Sequence, residues 1–590
     1  MRLSQTLKAI VEDLESTSIL TPAALAWALR HEVTIDDLSD WIRFDTENYV
    51  RNLITRTSRW ELRVLCWRPG QSSAMHGHGG SACAYRVIRG TVTEVVLGAR
   101  DRTWTPGAVV DESQGALVHQ VGNSGPDALL TLHAYSPPLP VDAPSPRRGR
   151  SVVVVGGGFT GVALAYHLLK NGSSDLRITI VERGPWLGRG LAYGVDSIRF
   201  RLNVPASRMS LDPTVPDDFV RFAGAEASPH AFLPRNQYGN YVVQRLAEAI
   251  RQGGGKLRVV RGDAVAVGER EVKLADGRSL EAEVVTLATG IAPRLSPNWL
   301  AADPRIVDAW DECALATLPR DGRILVLGSG LTAVDVLVML QARGHHGRVV
   351  VLSRRGLLPR THLEPFTSGM SLDADVILRA PRTVRGLLHW GRQIVRDAAE
   401  RGVPWQHAID AIRVHVPTLW RSLPPAERAR FVRKVRPYWD VLRHRAPSDS
   451  LAAIDADRAS GKLDLRSGKV TSCDPTPTGL EVVLEDSRGR AHGERFDAIV
   501  RCIGPALELS DGEASLLADI IEKGFAARDP AGLGIVTDDQ ARVVAGTGVP
   551  SERIFALGAT LRASAWETTS VPEIARHAHT LALRLLTQFR

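Results

Sequence analysis

Cysteine is scarce in this chain. The sequence holds five cysteines among 590 residues, and no two of them form a Cys-x-x-Cys pair. Thiols so few and so scattered exclude the disulfide framework of a small secreted domain, and they argue against a dithiol–disulfide reductase. We therefore expect a cytoplasmic protein, kept in a reducing compartment, whose chemistry does not depend on paired cysteines.

Long hydrophobic runs and a dominant charge sign are missing as well. No apolar run approaches the roughly 20 residues that span a bilayer, and charges interrupt the N-terminal stretch MRLSQTLKAIVEDLE, where a signal peptide would be apolar. The 73 basic and 65 acidic residues leave a net charge of only +8. The densest basic stretch, 428–445, is typical of a solvated helix face. We expect neither a membrane nor a nucleic acid as partner.

The sequence changes character several times along its length. At roughly 100–200 residues per domain, it predicts about three or four units. Residues 1–45 repeat apolar positions at helical spacing, whereas 50–135 form short alternating runs broken by Gly, Pro and Asn, which is typical of a small β-barrel. The Pro-rich segment 138–150 has no periodicity and predicts a linker.

A histidine pattern lies inside the predicted barrel. Gly70, His76, His78 and Gly90 have the spacing of the cupin fingerprint, and Cys83 stands where that fingerprint usually has an acid. Residues i and i+2 of a strand project from the same face, so both histidines point the same way. The pattern predicts a metal site within the barrel.

A third histidine completes the predicted metal site. His119 falls on a later strand, from which its imidazole can join those of His76 and His78. Three neutral imidazoles without an acidic ligand leave Fe²⁺ its full charge and open positions. Such a site suits an anionic thiolate together with O₂.

Residues 40–140 resemble the cysteine dioxygenase family. The resemblance is carried by LCWRPGQSSAMHGHGGSAC, by His119 and by LTLHAYSPP. It implies mononuclear iron on His76, His78 and His119. It also implies a cysteine beside the metal that can crosslink to a tyrosine, a relay near the substrate and an arginine that binds the substrate carboxylate. These catalytic roles fall on Cys83 with Tyr135, on Thr131, His133 and Tyr135, and on Tyr49 with Arg51.

Two positions depart from the family pattern. Gly77 replaces the usual Asp between the first two metal ligands, and Thr131 replaces the relay serine. These departures bear on which thiol is used. Because an arginine binds any carboxylate in a bidentate manner, an α-amino acid and a 3-mercapto acid both fit.

A dinucleotide-binding turn begins the second part of the chain. Four valines precede Gly156-x-Gly158-x-x-Gly161, a helical pattern follows, and the next strand ends in an acid. This arrangement allows backbone N–H groups to approach a pyrophosphate, while the acid accepts hydrogen bonds from ribose hydroxyls. We expect FAD to be bound by Gly156, Gly158, Phe159, Thr160, Gly161, Glu182 and Arg183.

A second copy of this unit has a different charge at the end of its second strand. Gly328 and Gly330 begin it, and Arg354 follows Gly328 at the same spacing at which Glu182 follows Gly156. An acid repels a 2′-phosphate, whereas Arg354 and its neighbour Arg355 can bind one. The second site is therefore predicted to hold NADPH.

Nearly all of 150–590 resembles an FAD/NAD(P)-binding oxidoreductase family related to flavin monooxygenases. The resemblance is carried by GRGLAYG, LNVPASRMS, LPRNQYGNY and YWDVLRHRAP. It implies further FAD contacts at Gly290, in TLATGIAP, and at Gly558, in FALGATL. The Baeyer–Villiger fingerprint FxGxxxHxxxWP is absent from the sequence, and no residue stands out as a catalytic base of the flavin part.

Together these patterns predict a multidomain protein. Its N-terminal part is a cupin β-barrel preceded by helices, and the rest is an α/β two-dinucleotide-binding (Rossmann-type) flavoprotein with a helical insertion. The predicted boundaries are 1–137 for the cupin, 138–150 for the linker, 151–317 with 447–590 for the FAD-binding domain, 318–360 for the NADPH-binding unit and 361–446 for the insertion.

The sequence favours a bifunctional redox enzyme. The iron site would convert a small thiol, cysteine or a related mercapto acid, to a sulfinate with O₂, and the FAD/NADPH part would perform a linked oxidation. Two alternatives stay open. In the first, the sole role of the flavoprotein is to reduce the iron site. In the second, the cupin is a sensor that regulates an independent NADPH-dependent flavin oxidoreductase. The oligomeric state does not follow from the sequence.

Overall fold

The part of the chain that the structure describes contains a β-barrel, two mostly parallel sheets, a small three-stranded sheet and a cluster of helices. The computed structural model describes residues 3–78, 80–111, 118–139, 150–253, 256–290, 303–364, 369–504 and 516–589. An antiparallel barrel is followed by two mostly parallel sheets, as the sequence predicts. Most of the predicted linker, 138–150, lies outside the described residues.

Short helices cover one side of the barrel. Their starts follow from polar caps, since the side chain of Ser4 accepts from the N–H of Leu7 and that of Thr21 accepts from Ala24. Leu7, like others at its helical spacing, is fully buried. The helices are α1 (Gln5–Ser16), α2 (Pro22–Ala28) and α3 (Ile35–Leu38).

Two antiparallel sheets form the barrel. Its strands are β1 (Val50–Arg56), β2 (Glu61–Trp67), β3 (Ala82–Arg89), β4 (Val92–Val96), β5 (Arg102–Trp104), β6 (Val109–Asp111), β7 (His119–Asn123) and β8 (Leu129–Ser136). The sheet orders are β1-β2-β8-β3-β6 and β5-β4-β7. Along β8, Leu130, Leu132 and Ala134 pack with the helices. Residues 131, 133 and 135 therefore face the barrel interior.

A strand, a glycine turn and a helix begin the flavoprotein part. Its first elements are β9 (Ser151–Val155), α4 (Phe159–Asn171), β10 (Arg177–Glu182), α5 (Gly190–Tyr193), α6 (Asp218–Ala223), α7 (Arg235–Gln252), β11 (Lys256–Arg261), β12 (Ala264–Val267), β13 (Glu271–Leu274), β14 (Ser279–Glu281) and β15 (Val284–Leu287). Helix α4 is buried on nearly every side, which explains its continuous apolar sequence.

The second strand–turn–helix unit follows. It comprises β16 (Ile306–Asp308), α8 (Glu312–Ala316), β17 (Ile324–Leu327), α9 (Leu331–Ala342) and β18 (Val349–Ser353). Strand β17 pairs in parallel with β18, as a βαβ crossover requires.

The predicted insertion is helical. It contains α10 (Ala374–Leu378), α11 (Val384–Glu400), α12 (Trp405–Val414), α13 (Val416–Ser422), α14 (Pro425–Arg430), a π-helical turn (Phe431–Val435) and α15 (Arg436–Arg443). No helix among the residues described is long and apolar enough to cross a bilayer.

The tail of the chain adds strands to both parallel sheets. Its elements are α16 (Ser448–Ala459), β19 (Leu463–Thr476), β20 (Gly479–Asp486), β21 (Ala491–Phe496), β22 (Ala498–Arg501), α17 (Leu516–Glu522), β23 (Arg542–Val544), β24 (Pro550–Ala556), α18 (Arg562–Ala565) and α19 (Val571–Gln588).

The second sheet is larger than the predicted unit 318–360. The two sheets have the orders β11-β10-β9-β15-β24-β23 and β16-β22-β17-β18-β19-β20-β21. Strand β16 and strands β19–β22, which the boundaries above assign to the FAD-binding domain, pair within the second sheet. The chain rejoins the first sheet only at β23 and β24. The physical reason is that β22 inserts between β16 and β17 in parallel, so the sheet closes on strands distant in sequence.

The barrel docks on the edge of the first parallel sheet. Strand β11 is the edge strand, and its Leu257 carbonyl accepts from the N–H of Met75 at 2.7 Å. The side-chain amide of Gln120 pairs with Val259 in both directions, donating to its carbonyl and accepting from its N–H, each at 2.8 Å. The barrel thus covers a strand edge that would otherwise expose unpaired backbone groups.

Candidate functional site

The three predicted metal histidines converge inside the barrel. His76 and His119 are paired across strands, with mutual backbone hydrogen bonds of 2.8 and 2.9 Å. The Nε2 atom of His78 lies 3.3 Å from that of His76 and 3.4 Å from that of His119. Imidazole nitrogens held about 2.1 Å from one ion at the tetrahedral angle lie about 3.4 Å apart. The three side chains therefore fit a single metal ion.

Hydrogen bonds aim two of these rings. The Nδ1 atom of His119 lies 2.6 Å from a carboxylate oxygen of Glu94, and that of His76 lies 2.9 Å from the carbonyl of Ala74. Both oxygens only accept, so each imidazole donates from Nδ1 and leaves the Nε2 lone pair free for a metal. Burial and the neighbouring imidazoles lower the pKa of His76 to about 3. The ring is neutral, as a metal ligand must be.

Glu94 is a site residue that the motif analysis missed. It is buried on β4, and Nε1 of Trp104 donates to its second oxygen at 3.2 Å. Burial opposes its ionisation, but the hydrogen bond from His119 holds the pKa of Glu94 below its usual range. The signal that could have found it is a lone acid in the apolar run VTEVV, because a buried carboxylate requires a partner.

The predicted relay forms one hydrogen-bonded chain. Nε2 of His133 lies 2.9 Å from the hydroxyl of Thr131, and its Nδ1 lies 3.1 Å from the hydroxyl of Tyr135. Trp67 donates to Thr131 at 3.1 Å. All four side chains are buried. Burial lowers the pKa of His133 and raises that of Tyr135, so both rings are neutral.

The relay ends at the histidine cluster. The rings of Tyr135 and His78 meet edge to face with centroids 5.7 Å apart. Cys83 is buried directly opposite Tyr135 in the β3–β8 register. Tyr85, which sequence reasoning missed, stacks on His133 with centroids 4.9 Å apart. These contacts put the relay beside the metal site, and they put Cys83 beside the tyrosine of the implied crosslink.

Tyr49 and Arg51 lie near the relay and the histidine cluster. Tyr49 directly precedes β1, and Arg51 belongs to it. Tyr49 stacks on Trp67 with ring centroids 4.0 Å apart. The charge of Arg51 is among the causes that lower the pKa values of His76 and His133. The guanidinium therefore adds positive potential around the histidine cluster and the relay.

The first dinucleotide turn has the predicted form. Gly156 has φ 108°, and a Cβ there would lie 2.3 Å from the carbonyl of Ala288. A Cβ on Gly161 would lie 1.9 Å from the carbonyl of Gly156. Gly158 precedes α4 without a side-chain cap, and nothing closer than 3.7 Å would meet its Cβ. Open backbone at an uncapped helix start fits a pyrophosphate.

The other predicted FAD-binding residues differ in how well they are placed to contact a cofactor at this turn. The Glu182 carboxylate accepts from the N–H groups of Gly157 and Gly184, each at 2.6 Å, so it already holds the turn together. Phe159 packs in the core, so only its backbone can contact a cofactor. The side chain of Arg183 is exposed. Thr160 lies against Gly558, while Gly290 follows the loop that backs the turn.

The second turn repeats this geometry. Gly328 has φ 106°, and a Cβ there would lie 2.4 Å from the carbonyl of Cys502. Gly330 precedes α9 without a side-chain cap. Arg354 and Arg355 are exposed just past the end of β18, and Arg355 donates to the hydroxyl of Tyr438 at 3.3 Å. The structure therefore brings both arginines to the strand end at which a ribose phosphate would lie.

Known proteins resemble the two parts of the chain separately. The family model of cysteine dioxygenase type I matches residues 23–143, and that of FAD-NAD(P)-binding proteins matches 153–292. Cysteine dioxygenase type 1 of Danio rerio is 32% identical over 117 residues, which are 17% of this chain and 58% of that protein. The Homo sapiens protein is 27% identical over 161 residues, 21% of this chain and 80% of that protein.

Solved structures resemble the flavoprotein part in fold. An ornithine N-hydroxylase of Kutzneria sp. 744 aligns with a TM-score of 0.52 and 14% identity, covering 75% of this chain and 100% of that one. L-lysine 6-monooxygenase of Pseudomonas syringae aligns with a TM-score of 0.51 and 20% identity, covering 74% and 98%. The chain therefore combines a region that matches the cysteine dioxygenase type I family with a region that matches FAD-NAD(P)-binding proteins, and its flavoprotein part is similar in fold to these two solved structures.

Proposed function

We propose that the barrel is a thiol dioxygenase that holds Fe²⁺ on His76, His78 and His119. The observation that carries this proposal is the convergence of three Nε2 atoms in a cluster that contains no carboxylate among the described residues. Bound iron supplies a Lewis-acidic centre with vacant positions for a thiolate and O₂. Both oxygen atoms are transferred to sulfur, so the thiolate RS⁻ becomes the sulfinate RSO₂⁻. Sulfur loses four electrons and O₂ gains them.

The chain's own residues bind and orient the substrate. Arg51 binds its carboxylate, and Tyr49, stacked on Trp67, borders the same space. Tyr135, held by His133 and Thr131, presents a neutral hydroxyl beside His78. A hydroxyl in this position can donate a hydrogen bond to an oxygen on sulfur without carrying charge. We include the crosslink of Cys83 to Tyr135 in the proposal because the two residues are cross-strand partners.

The flavoprotein part is proposed to bind FAD at the first turn and NADPH at the second. Gly156, Gly158 and Gly161 support the pyrophosphate site of FAD, whereas Arg354 and Arg355 support the 2′-phosphate of NADPH. FAD held at the first turn would take two electrons from NADPH and, with O₂ as the oxidant, would allow one oxygen atom to be added to a small molecule while the other leaves as water. This oxidation is linked to the barrel reaction by the fusion and by the docking of the barrel on β11.

Oxygen uptake tests the dioxygenase proposal. Iron-loaded full-length protein is given cysteine, 3-mercaptopropionate or cysteamine, which lacks a carboxylate, and mass spectrometry counts the oxygen atoms gained. We expect two added oxygens with one of the carboxylate thiols, far slower uptake with cysteamine, and loss of uptake in His76→Ala. His230→Ala, which changes an exposed histidine, should behave as wild type. No thiol-dependent uptake by any of the three would refute the proposal.

The same assay with NADPH separates the roles of the flavoprotein. A linked oxidation consumes NADPH in proportion to a sulfur product beyond the sulfinate. A flavoprotein that only reduces the iron consumes little NADPH and leaves the sulfinate as the product. A sensor module predicts that His76→Ala changes NADPH turnover in the absence of thiol.

A further inference from the structure

A large cleft lies among the insertion helices, and neither the metal histidines nor the turn glycines are among the described residues that line it. Its volume is about 1130 Å³, and its walls are mostly aliphatic and aromatic side chains, the majority of them from α11–α15. Five of the chain's 13 tryptophans line it. We call it the tryptophan cleft, after Trp390, Trp405, Trp420, Trp439 and Trp566. Small-molecule sites are typically apolar and about 300–1,000 Å³ in volume, so this cleft is large enough for a molecule far bigger than cysteine.

The charged side chains that line the tryptophan cleft are cations. Among the described residues of the lining none is acidic, whereas Arg392, Arg396 and Lys434 all contribute to it. The three cations are exposed, so their charges lie at the solvent side of an apolar cavity. This distribution complements a molecule that buries an apolar body and keeps an anionic group at the mouth.

The helix that carries Lys434 is locally irregular. Residues Phe431–Val435 form a π-helical turn, and three of them, Phe431, Lys434 and Val435, belong to the lining. Single π-helical turns are rare and occur frequently at functional sites, because the inserted residue changes which side chains face a ligand.

Trp566 has an unusual backbone conformation. With φ 56° and ψ −60°, it lies outside the main allowed regions for a residue with a side chain. Such strain persists only where the surroundings hold it, and it concentrates at ligand sites. The next residue, Glu567, is buried, accepts from Nε1 of Trp439 at 3.1 Å and is ion-paired with Arg443. The wall is therefore held in place before any ligand arrives.

The cleft shares a wall with the predicted flavin-binding segment. Nε1 of Trp420 donates to the carbonyl of Ala563 at 2.8 Å, and the rings of Trp420 and Trp566 have centroids 4.8 Å apart. Ala563 lies in α18, which directly follows the turn begun by Gly558.

We propose that the tryptophan cleft binds an amphipathic anion, a molecule with a long apolar or aromatic body that ends in a carboxylate. This ligand differs from the small thiol of the barrel in size and polarity. The inference rests on the lining of the cleft and does not depend on the proposed dioxygenase activity.

Tryptophan fluorescence of FAD-loaded full-length protein tests the proposal. The probes are dodecanoate, dodecanol and dodecyltrimethylammonium, each below its micelle concentration. We expect saturable quenching or enhancement with dodecanoate, and affinity at least 10-fold weaker for the cation. Lys434→Gln should weaken dodecanoate binding several-fold and leave dodecanol binding unchanged. Arg433→Gln, which removes a neighbouring exposed charge outside the lining, is the matched control.

A filling variant guards against nonspecific adsorption. Leu387→Trp fills part of the cavity with an indole ring and should abolish saturable binding. Its thermal midpoint should stay within a few degrees of that of the wild type. Equal affinity for anion and cation, or binding that survives in this variant, would overturn the proposal. Two other results would do so as well: adsorption to anionic phospholipid vesicles without binding of monomeric dodecanoate, or a dimer that masks the cleft in light scattering and is lost in Leu387→Trp.

Discussion

At the scale of single residues, the clearest lesson comes from Glu94. Its carboxylate orients His119, and partners of this kind typically change metal affinity 10- to 100-fold when they are removed. We expect Glu94→Gln to keep the fold and to lower Fe²⁺ affinity by about that factor. Iron content after dialysis against a competing chelator measures the effect. Glu47→Gln, at an exposed acid on the same domain, is the control. Unchanged iron content in Glu94→Gln would show that His119 needs no fixed orientation.

The proposed preference for NADPH depends on the two arginines after β18. A charge-assisted hydrogen bond contributes roughly 1.5–3 kcal/mol, which corresponds to about a 10- to 150-fold change in binding. Arg355 is held over Tyr438, with its guanidinium carbon 5.2 Å from the ring centroid. We therefore expect Arg354→Ala with Arg355→Ala to raise KM for NADPH by at least 10-fold and to leave KM for NADH nearly unchanged. Steady-state oxidation of the two cofactors measures the ratio, and an equal loss with both would contradict a 2′-phosphate contact.

At the scale of secondary-structure elements, two glycines of one turn have separable roles. A Cβ on Gly161 would overlap the carbonyl of Gly156, whereas a Cβ on Gly158 would meet only Gly190 at 3.7 Å. We expect Gly161→Ala to lower the free energy of unfolding by about 1–3 kcal/mol, as overpacking does. Gly158→Ala should fold normally and lose FAD, since its new methyl group occupies the space for the pyrophosphate. Thermal unfolding and the flavin absorbance of purified protein distinguish the two, and retained flavin in Gly158→Ala would contradict the assigned site.

The sequence predicted the elements better than their pairing. The histidine spacing, both glycine turns and the charge contrast between Glu182 and Arg354 are local patterns. The structure brings the three imidazoles together, although His76 and His78 lie outside the named strands, and it places each glycine turn before its helix. The pairing of β22 with β17 was not predictable, because AIVR and the later RIFA are equally apolar strands. Which sheet receives each strand depends on contacts between residues distant in sequence. Glu94 was missed for a similar reason, since its partner lies on another strand.

At the scale of the whole molecule, hydrogen bonds and an ion pair join the barrel to the flavoprotein, in addition to the chain between them. Arg258 donates to the hydroxyl of Ser72 and to the carbonyl of Gly70, each at 2.8 Å. Arg261 pairs with Asp101 in the barrel at 2.7 Å and donates to the carbonyl of Gly184 beside the first glycine turn. The same edge strand thus contacts the loop that leads to the metal histidines and the loop that follows Glu182. The geometry supports a fixed arrangement of the two domains rather than two independent modules.

Gln120 offers a direct test of this arrangement. It directly follows His119 and is buried. The NH₂ group of its side-chain amide donates to the Val259 carbonyl, and the amide oxygen accepts from the Val259 N–H. Gln120→Leu would leave the N–H and carbonyl of Val259 unpaired, which costs about 1–3 kcal/mol and corresponds to about a 5- to 150-fold faster local opening. We expect hydrogen exchange at Val259 to accelerate by that factor, and iron affinity to fall because the strand that carries His119 loses its support. Gln244→Leu, on the exposed face of α7, should change neither quantity. Unaltered hydrogen exchange along β11 in Gln120→Leu would mean that the hydrogen bonds between Gln120 and Val259 do not stabilise the docking of the barrel on the flavoprotein.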